Sequence, residues 1–135
     1  MSKISSKDWR TVRKYFFDNQ TWLVFLTKHR GEVLSEEILV RLKQIFEQTC
    51  QQMKCELLKF EGETDYVRLL VSVHPTLSVS TLVGKLKGKS SYIIVREFPS
   101  LKNKIKGNHF WFQSYAAISE KENLSEIVKE FLEIT

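Results

Sequence analysis

Tyr66 and Arg68 stand two residues apart in the run Asp65-Tyr66-Val67-Arg68-Leu69-Leu70, which has the aromatic and branched content of a strand. On a strand, residues i and i+2 project from the same face, about 6 to 7 Å apart. Two imidazoles at that spacing would grip one divalent cation. A phenol and a guanidinium do not. The guanidinium stays protonated and repels a metal, and a phenol coordinates poorly unless it is deprotonated, which is costly near neutral pH. The pair therefore gives its strand a cationic and aromatic face, and no metal site is expected there.

The remaining chemistry-bearing residues offer no better constellation. His29, His74 and His109 are scattered and follow no metal-ligand spacing. Cys50 and Cys55 bracket the end of an expected helix with no histidine nearby, so they read as buried thiols. Glu36 with Glu37, and Glu61 with Glu63, fit a solvated helix start and a hairpin rim. Ser90 and Ser91 lack a partner base. The run GKLKGKS at Gly84 does not have the spacing of a phosphate-cradling loop and does not directly follow a strand.

Charge is the stronger signal. The formal net charge is +5 and the isoelectric point is about 9.2. Between Lys85 and Lys106 lie Lys85, Lys87, Lys89, Arg96, Lys102, Lys104 and Lys106 against one acid, Glu97. The first twenty residues add Lys3, Lys7, Arg10, Arg13 and Lys14, and the basic residues are interleaved with Trp9, Tyr15, Tyr92 and Trp111. Cations mixed with flat rings suit single-stranded or hairpin nucleic acid, whose phosphates are neutralised and whose bases stack. A solvated basic face with its aromatics turned into the core has the same composition.

The elements that must position these groups follow from periodicity and punctuation. At 135 residues, 42% hydrophobic, the chain is expected to be one compact domain with a real core. It shows no secretory leader pattern and no apolar run of about 18 residues, so the cytosol is the expected compartment and no membrane partner is expected. Residues 1–20 form an arm of uncertain form. Thr21 to Lys28 reads as a buried strand, turned by His29, Arg30 and Gly31. Ser35 caps a helix reaching about Met53, with Ile38, Leu39, Leu42, Ile45 and Phe46 at helical spacing. Cys55 to Glu61 and Asp65 to Val73 form a hairpin around Gly62. Ser78 caps a second helix from Val79 to Glu97, stopped by Pro99; within it Gly84 and Gly88 are expected to allow close packing against the sheet or another helix. A basic loop leads to a strand near Phe110 to Ser119, and Leu124 to Ile134 forms a last helix. The order is that of the ferredoxin-like split βαβ sandwich, an α+β fold with helices on one side of an antiparallel sheet, plus a C-terminal helix.

The chain as a whole resembles the single-tyrosine HUH transposases of the insertion sequence two-hundred type (IS200-like). The resemblance covers 21–135 and rests on WLVFLTKHRGEVL (from Trp22), DYVRLLVSVHPTLSVSTLVGKLKGKSS (from Asp65), REFPSL (from Arg96), HFWFQSYAAIS (from His109) and IVKEFLEIT (from Ile127). It implies a homodimer with joined sheets that binds hairpin DNA on basic surfaces. It also implies a reaction in which a helix-borne tyrosine attacks a DNA phosphate, assisted by a divalent metal such as magnesium or manganese on a histidine pair. The histidine pair falls at Tyr66 and Arg68, the tyrosine at Phe131, and a metal-assisting glutamine at Thr135, so all four positions are substituted.

The resulting expectation is a transposase-like protein that binds single-stranded or hairpin DNA through Lys28, Arg30, Lys85, Lys87, Lys89, Lys102, Lys104 and Lys106, with no metal cofactor and no intact catalytic residue. The alternative is a dimerising interaction subunit or dominant inhibitor of an active transposase.

Overall fold

The computed structural model describes residues 19–105, 109–119, 128–129 and 131–133. The expected N-terminal arm, apart from Asn19 and Gln20, lies outside them, as do Lys106, Thr135 and the first residues of the expected last helix. The elements run β1 (Gln20–Thr27), a 3₁₀ turn (Lys28–Arg30), α1 (Glu36–Gln52), β2 (Glu56–Gly62), β3 (Tyr66–Ser72), α2 (Val79–Glu97), a second 3₁₀ turn (Pro99–Asn103) and β4 (Trp111–Ser119). The caps act as expected: Ser35 Oγ accepts from the Ile38 amide at 3.2 Å, and Ser78 Oγ accepts from the Thr81 amide at 3.1 Å.

The four strands form one antiparallel sheet in the order β2-β3-β1-β4. Each helix thus connects two strands that leave room for a third between them, which is the split βαβ arrangement of the α+β class. Strand pleating sends alternate residues to opposite faces. Leu23, Phe25, Val67, Leu69 and Val71 meet Ile38, Leu42, Ile45 and Phe46 of α1 and Leu82, Leu86 and Ile94 of α2 in the main core. Trp22, Val24, Leu26, Leu70 and Ile118 face the other way and are covered by Val128 and Phe131, which belong to the described helical residues near the C-terminus. Strand β1 is buried on both faces for this reason, and its sequence is therefore almost continuously apolar.

The glycines of β2 and α2 need different accounts. A Cβ at Gly62 would lie 2.5 Å from Leu39 Cδ2, so a side chain at the end of β2 would require the Leu39 side chain to shift. Gly84 and Gly88 contradict the packing expected of them: a Cβ at either meets no atom within 4 Å, because they lie on the outer side of α2. The two sheet edges also differ. Strand β2 carries Glu56, Lys59 and Glu61 and is interrupted by a register shift between Leu57 and Lys59. Strand β4 has nine residues, none charged, and pairs only with β1 among the described residues. No helix among the described residues is long and apolar enough to cross a membrane.

Candidate functional site

Tyr66 and Arg68 do share one face of β3, opposite Leu26 and Val24 of β1 in the sheet register. Arg68 pairs across the hairpin with Glu61, its register partner on β2, and its guanidinium lies 5.9 Å from the ring centre of Trp22. Tyr66 packs into the apolar cluster of Trp22, Leu26 and Leu70, where Phe131 is buried. The fold therefore brings three of the four positions singled out by the family resemblance onto one face; the fourth, Thr135, lies outside the described residues.

The groups on this face do not suit a divalent cation. A small cavity of about 220 Å³ lies between Glu61, Gly62, Glu63, Tyr66 and Arg68. One of its two carboxylates is already neutralised by the guanidinium, and no group of three His, Cys, Asp or Glu side chains is placed for a metal ion among the described residues. A phosphate fits no better, because Glu63 repels it and Arg68 is already paired.

Arg30 belongs to this face as well. The turn after β1 holds His29 and Arg30 in the left-handed region, at φ 58° and 55°, a strain of order 1 kcal/mol each for residues other than glycine. Thr27 stabilises the turn: its hydroxyl donates to the Gly31 carbonyl at 2.7 Å and contacts the Asp65 carbonyl at 3.1 Å. The turn aims Arg30 at Asp65, with Nε and Nη2 each 2.8 Å from Oδ2, and Nη1 donates to the Leu132 carbonyl at 3.1 Å. Arg30 thus ties the C-terminal helical residues to the start of β3. Sequence reasoning grouped it with the DNA-contacting lysines, but its donors serve the protein itself.

The opposite, helix-bearing side carries a different surface. Three adjoining cavities, of about 230, 410 and 800 Å³, meet around Phe110 and form a trough between the end of β1, α2, the second 3₁₀ turn and the start of β4. Lys28, Lys87, Arg96, Lys102 and Lys104 line it together with His29 and His109, and among the described residues none of its lining is an acid. Tyr92 is 63% exposed at its rim, with the Arg96 guanidinium 5.0 Å from the ring centre, so an aromatic face is available beside a cation.

Of the expected DNA-contacting lysines among the described residues, four converge here and two do not. Lys28, Lys102 and Lys104 line the trough and form no ion pair among the described residues. Lys87 is half-buried at its floor; it donates to the Phe112 carbonyl at 2.6 Å and lies near the rings of Phe25 and Tyr115. Burial holds its ammonium below the usual lysine range, since desolvation disfavours the charged form. Lys89 donates to Gln52 at 2.6 Å, and neither it nor Lys85, one helical turn earlier, lines the trough. Lys106 is outside the described residues. Trp111, one of the aromatics interleaved with cations in the sequence, is a core residue whose indole N–H donates to Ser90 Oγ at 2.9 Å. The two histidines were given no role from sequence. They are 80 positions apart, and no local spacing could have joined them.

Comparison with known proteins agrees with this architecture. The family model described as "Transposase IS200 like" matches residues 15–134. The chain is similar to the ISDra2 transposase TnpA of Deinococcus radiodurans, with 30% identity over 121 residues, 90% of this chain and 86% of that protein. It is also similar to the transposase for insertion sequence element IS200 of Salmonella typhimurium, with 30% identity over 105 residues, 78% of this chain and 69% of that protein. A crystal structure of a candidate transposase from Deinococcus radiodurans R1 superposes with a TM-score of 0.83 at 30% identity, covering 92% of this chain and 95% of that one. The REP-associated tyrosine transposase, solved bound to a REP hairpin, shares the fold at a TM-score of 0.56 and 9% identity, over 96% of this chain and 68% of its own.

Proposed function

This chain belongs to the IS200-like transposase family, and we propose that within it the protein binds single-stranded or hairpin DNA without cleaving it and without a metal cofactor. The observation that carries this reading is the contrast in charge pairing between its two faces. On the sheet face Arg68 and Arg30 are neutralised by Glu61 and Asp65, and Phe131 is packed as a core residue. On the helix side Lys28, Arg96, Lys102 and Lys104 surround a trough with no acidic lining among the described residues. A polyanion is attracted to the second surface and gains little from the first. Tyr92 adds a ring on which an unpaired base can stack.

The test is fluorescence anisotropy of a labelled hairpin oligonucleotide with a single-stranded flank. Binding is expected in excess EDTA, unchanged by added magnesium or manganese, and weakening steeply with salt. Absence of binding at about 50 mM salt, where phosphate contacts are strongest, would end the proposal.

We further propose that the protein works as a homodimer joined along β4. This strand is a long edge with no charged residue and no proline to discourage pairing, unlike the charged β2 at the other edge, and its one register shift, opposite Phe25 to Thr27 of β1, leaves Tyr115 to Ser119 regular. Sedimentation equilibrium is expected to give about twice the chain mass of 15.9 kDa. A strictly monomeric protein at micromolar concentration would count against the β4 junction. The same edge supports a second reading, in which the chain pairs with an active relative and lowers its activity below simple dilution.

A further inference from the structure

We infer that the part of the trough beside the β1 turn is a pocket for a terminal phosphate monoester, on a DNA end or on a free nucleotide. The inference rests on the DNA-binding reading for the first of these sources only.

The pocket has a volume of about 410 Å³, and four basic side chains line it: Lys28, His29, Lys104 and His109. They come from three separate parts of the chain: the turn after β1, the end of the second 3₁₀ turn and the approach to β4. The left-handed turn fans its residues apart. Arg30 is committed to Asp65 on one side of the sheet, while Lys28 and His29 line the pocket on the other. The Thr27 hydroxyl, which also borders the pocket, is occupied by the Gly31 and Asp65 carbonyls, so among the described residues the four basic groups are the side-chain donors that remain.

Their number and type select the ligand. A phosphodiester inside a strand carries one negative charge and two free oxygens, so one cation per phosphate suffices along a groove. A terminal phosphate carries a charge of about −1.5 to −2 at neutral pH and three acceptor oxygens. Two ammonium groups balance that charge, and an imidazole supplies an N–H donor in either of its charge states. Among the described residues no carboxylate lines the pocket to compete for these donors or repel the dianion.

The experiment compares one hairpin oligonucleotide with a 5′-phosphate and with a 5′-hydroxyl, and separately titrates a deoxynucleoside 5′-monophosphate while the histidine ring protons are followed by NMR. Neutralising the extra charge is expected to make the phosphorylated hairpin bind roughly five- to tenfold more tightly at about 0.1 M salt. The preference should vanish in the double variant His29→Asn with His109→Ala; asparagine is chosen because it tolerates the positive φ at position 29. It should also vanish in Lys28→Ala with Lys104→Ala. An end preference lost in these variants assigns the pocket to a DNA end. Shifts of the His29 and His109 protons by the monophosphate without an end preference assign it to a free nucleotide. If neither effect is seen, or the preference survives in both variants, the pocket is not a phosphate site. If no DNA binds at all, the DNA-binding reading fails, and the monophosphate titration still decides the pocket.

Discussion

Incubated with manganese and a single-stranded DNA carrying a hairpin, the purified protein is expected to form no covalent linkage to DNA, and Phe131→Tyr is expected not to restore one. The family route needs an attacking phenol and a cation on two imidazoles. Phe131 has no nucleophilic atom, and no arrangement of surrounding charge can supply one. Losing the nucleophile of a unit that works together costs on the order of 10⁴-fold or more. Restoring the phenol alone places it near Tyr66, on the face that carries the paired guanidinium of Arg68, so nothing draws off charge as the phosphate is attacked.

The informative variant combines Tyr66→His, Arg68→His and Phe131→Tyr with Thr135→Gln. Its imidazole pair is expected to bind manganese, measurable by calorimetry, where the parent protein binds none at that face. Arg68→His releases Glu61, which is half-exposed, so the broken pair costs little stability. A denaturing gel of labelled DNA reads the outcome. An adduct formed by the parent protein and lost in Tyr66→Phe would show that Tyr66 had taken over as nucleophile. An adduct formed by Phe131→Tyr alone would show that the cation site was dispensable. Either result overturns the inactive reading.

The second large effect concerns where DNA sits. Replacing Lys28, Lys102 and Lys104 together by alanine is expected to reduce the slope of log affinity against log salt by about 2 to 2.7, from a loss of 0.7 to 0.9 per phosphate contact. At about 0.1 M salt the same loss lowers affinity by on the order of 10²-fold. Arg30→Ala and Arg68→Ala are expected to leave the slope unchanged, because both guanidinium groups are already neutralised within the protein. The comparison separates the two faces by measurement. A flat response to the three lysines together with a reduced slope in the arginine variants would move the DNA to the sheet face. Arg30→Ala has its own signature: with Leu132 no longer tied to Asp65, the C-terminal residues should exchange backbone hydrogens faster.

The scaffold that supports both faces follows from short stretches of sequence. Ser35 and Ser78 mark helix starts because a side-chain oxygen satisfies a backbone N–H three residues on, and Pro99 ends α2 because it cannot continue the hydrogen-bond ladder. The β2–β3 hairpin is equally local, and Gly62 has a contact that the turn alone did not reveal, the close approach of the Leu39 side chain.

What the sequence determined by itself is the inventory of functional groups. A phenol, a guanidinium and a benzene ring at positions 66, 68 and 131 have fixed chemistry wherever the chain places them. Tertiary structure decided which of those groups meet and which are already satisfied. Arg30 and Lys28 are both basic and two residues apart, yet a turn with two positive φ angles gives one to Asp65 and leaves the other lining the trough. His29 and His109 come together, and Gly84 and Gly88 look outward, only because strands distant in sequence pair in a particular order. Charge pairing and convergence depend on distances across the fold, to which residue type and spacing along the chain contribute nothing.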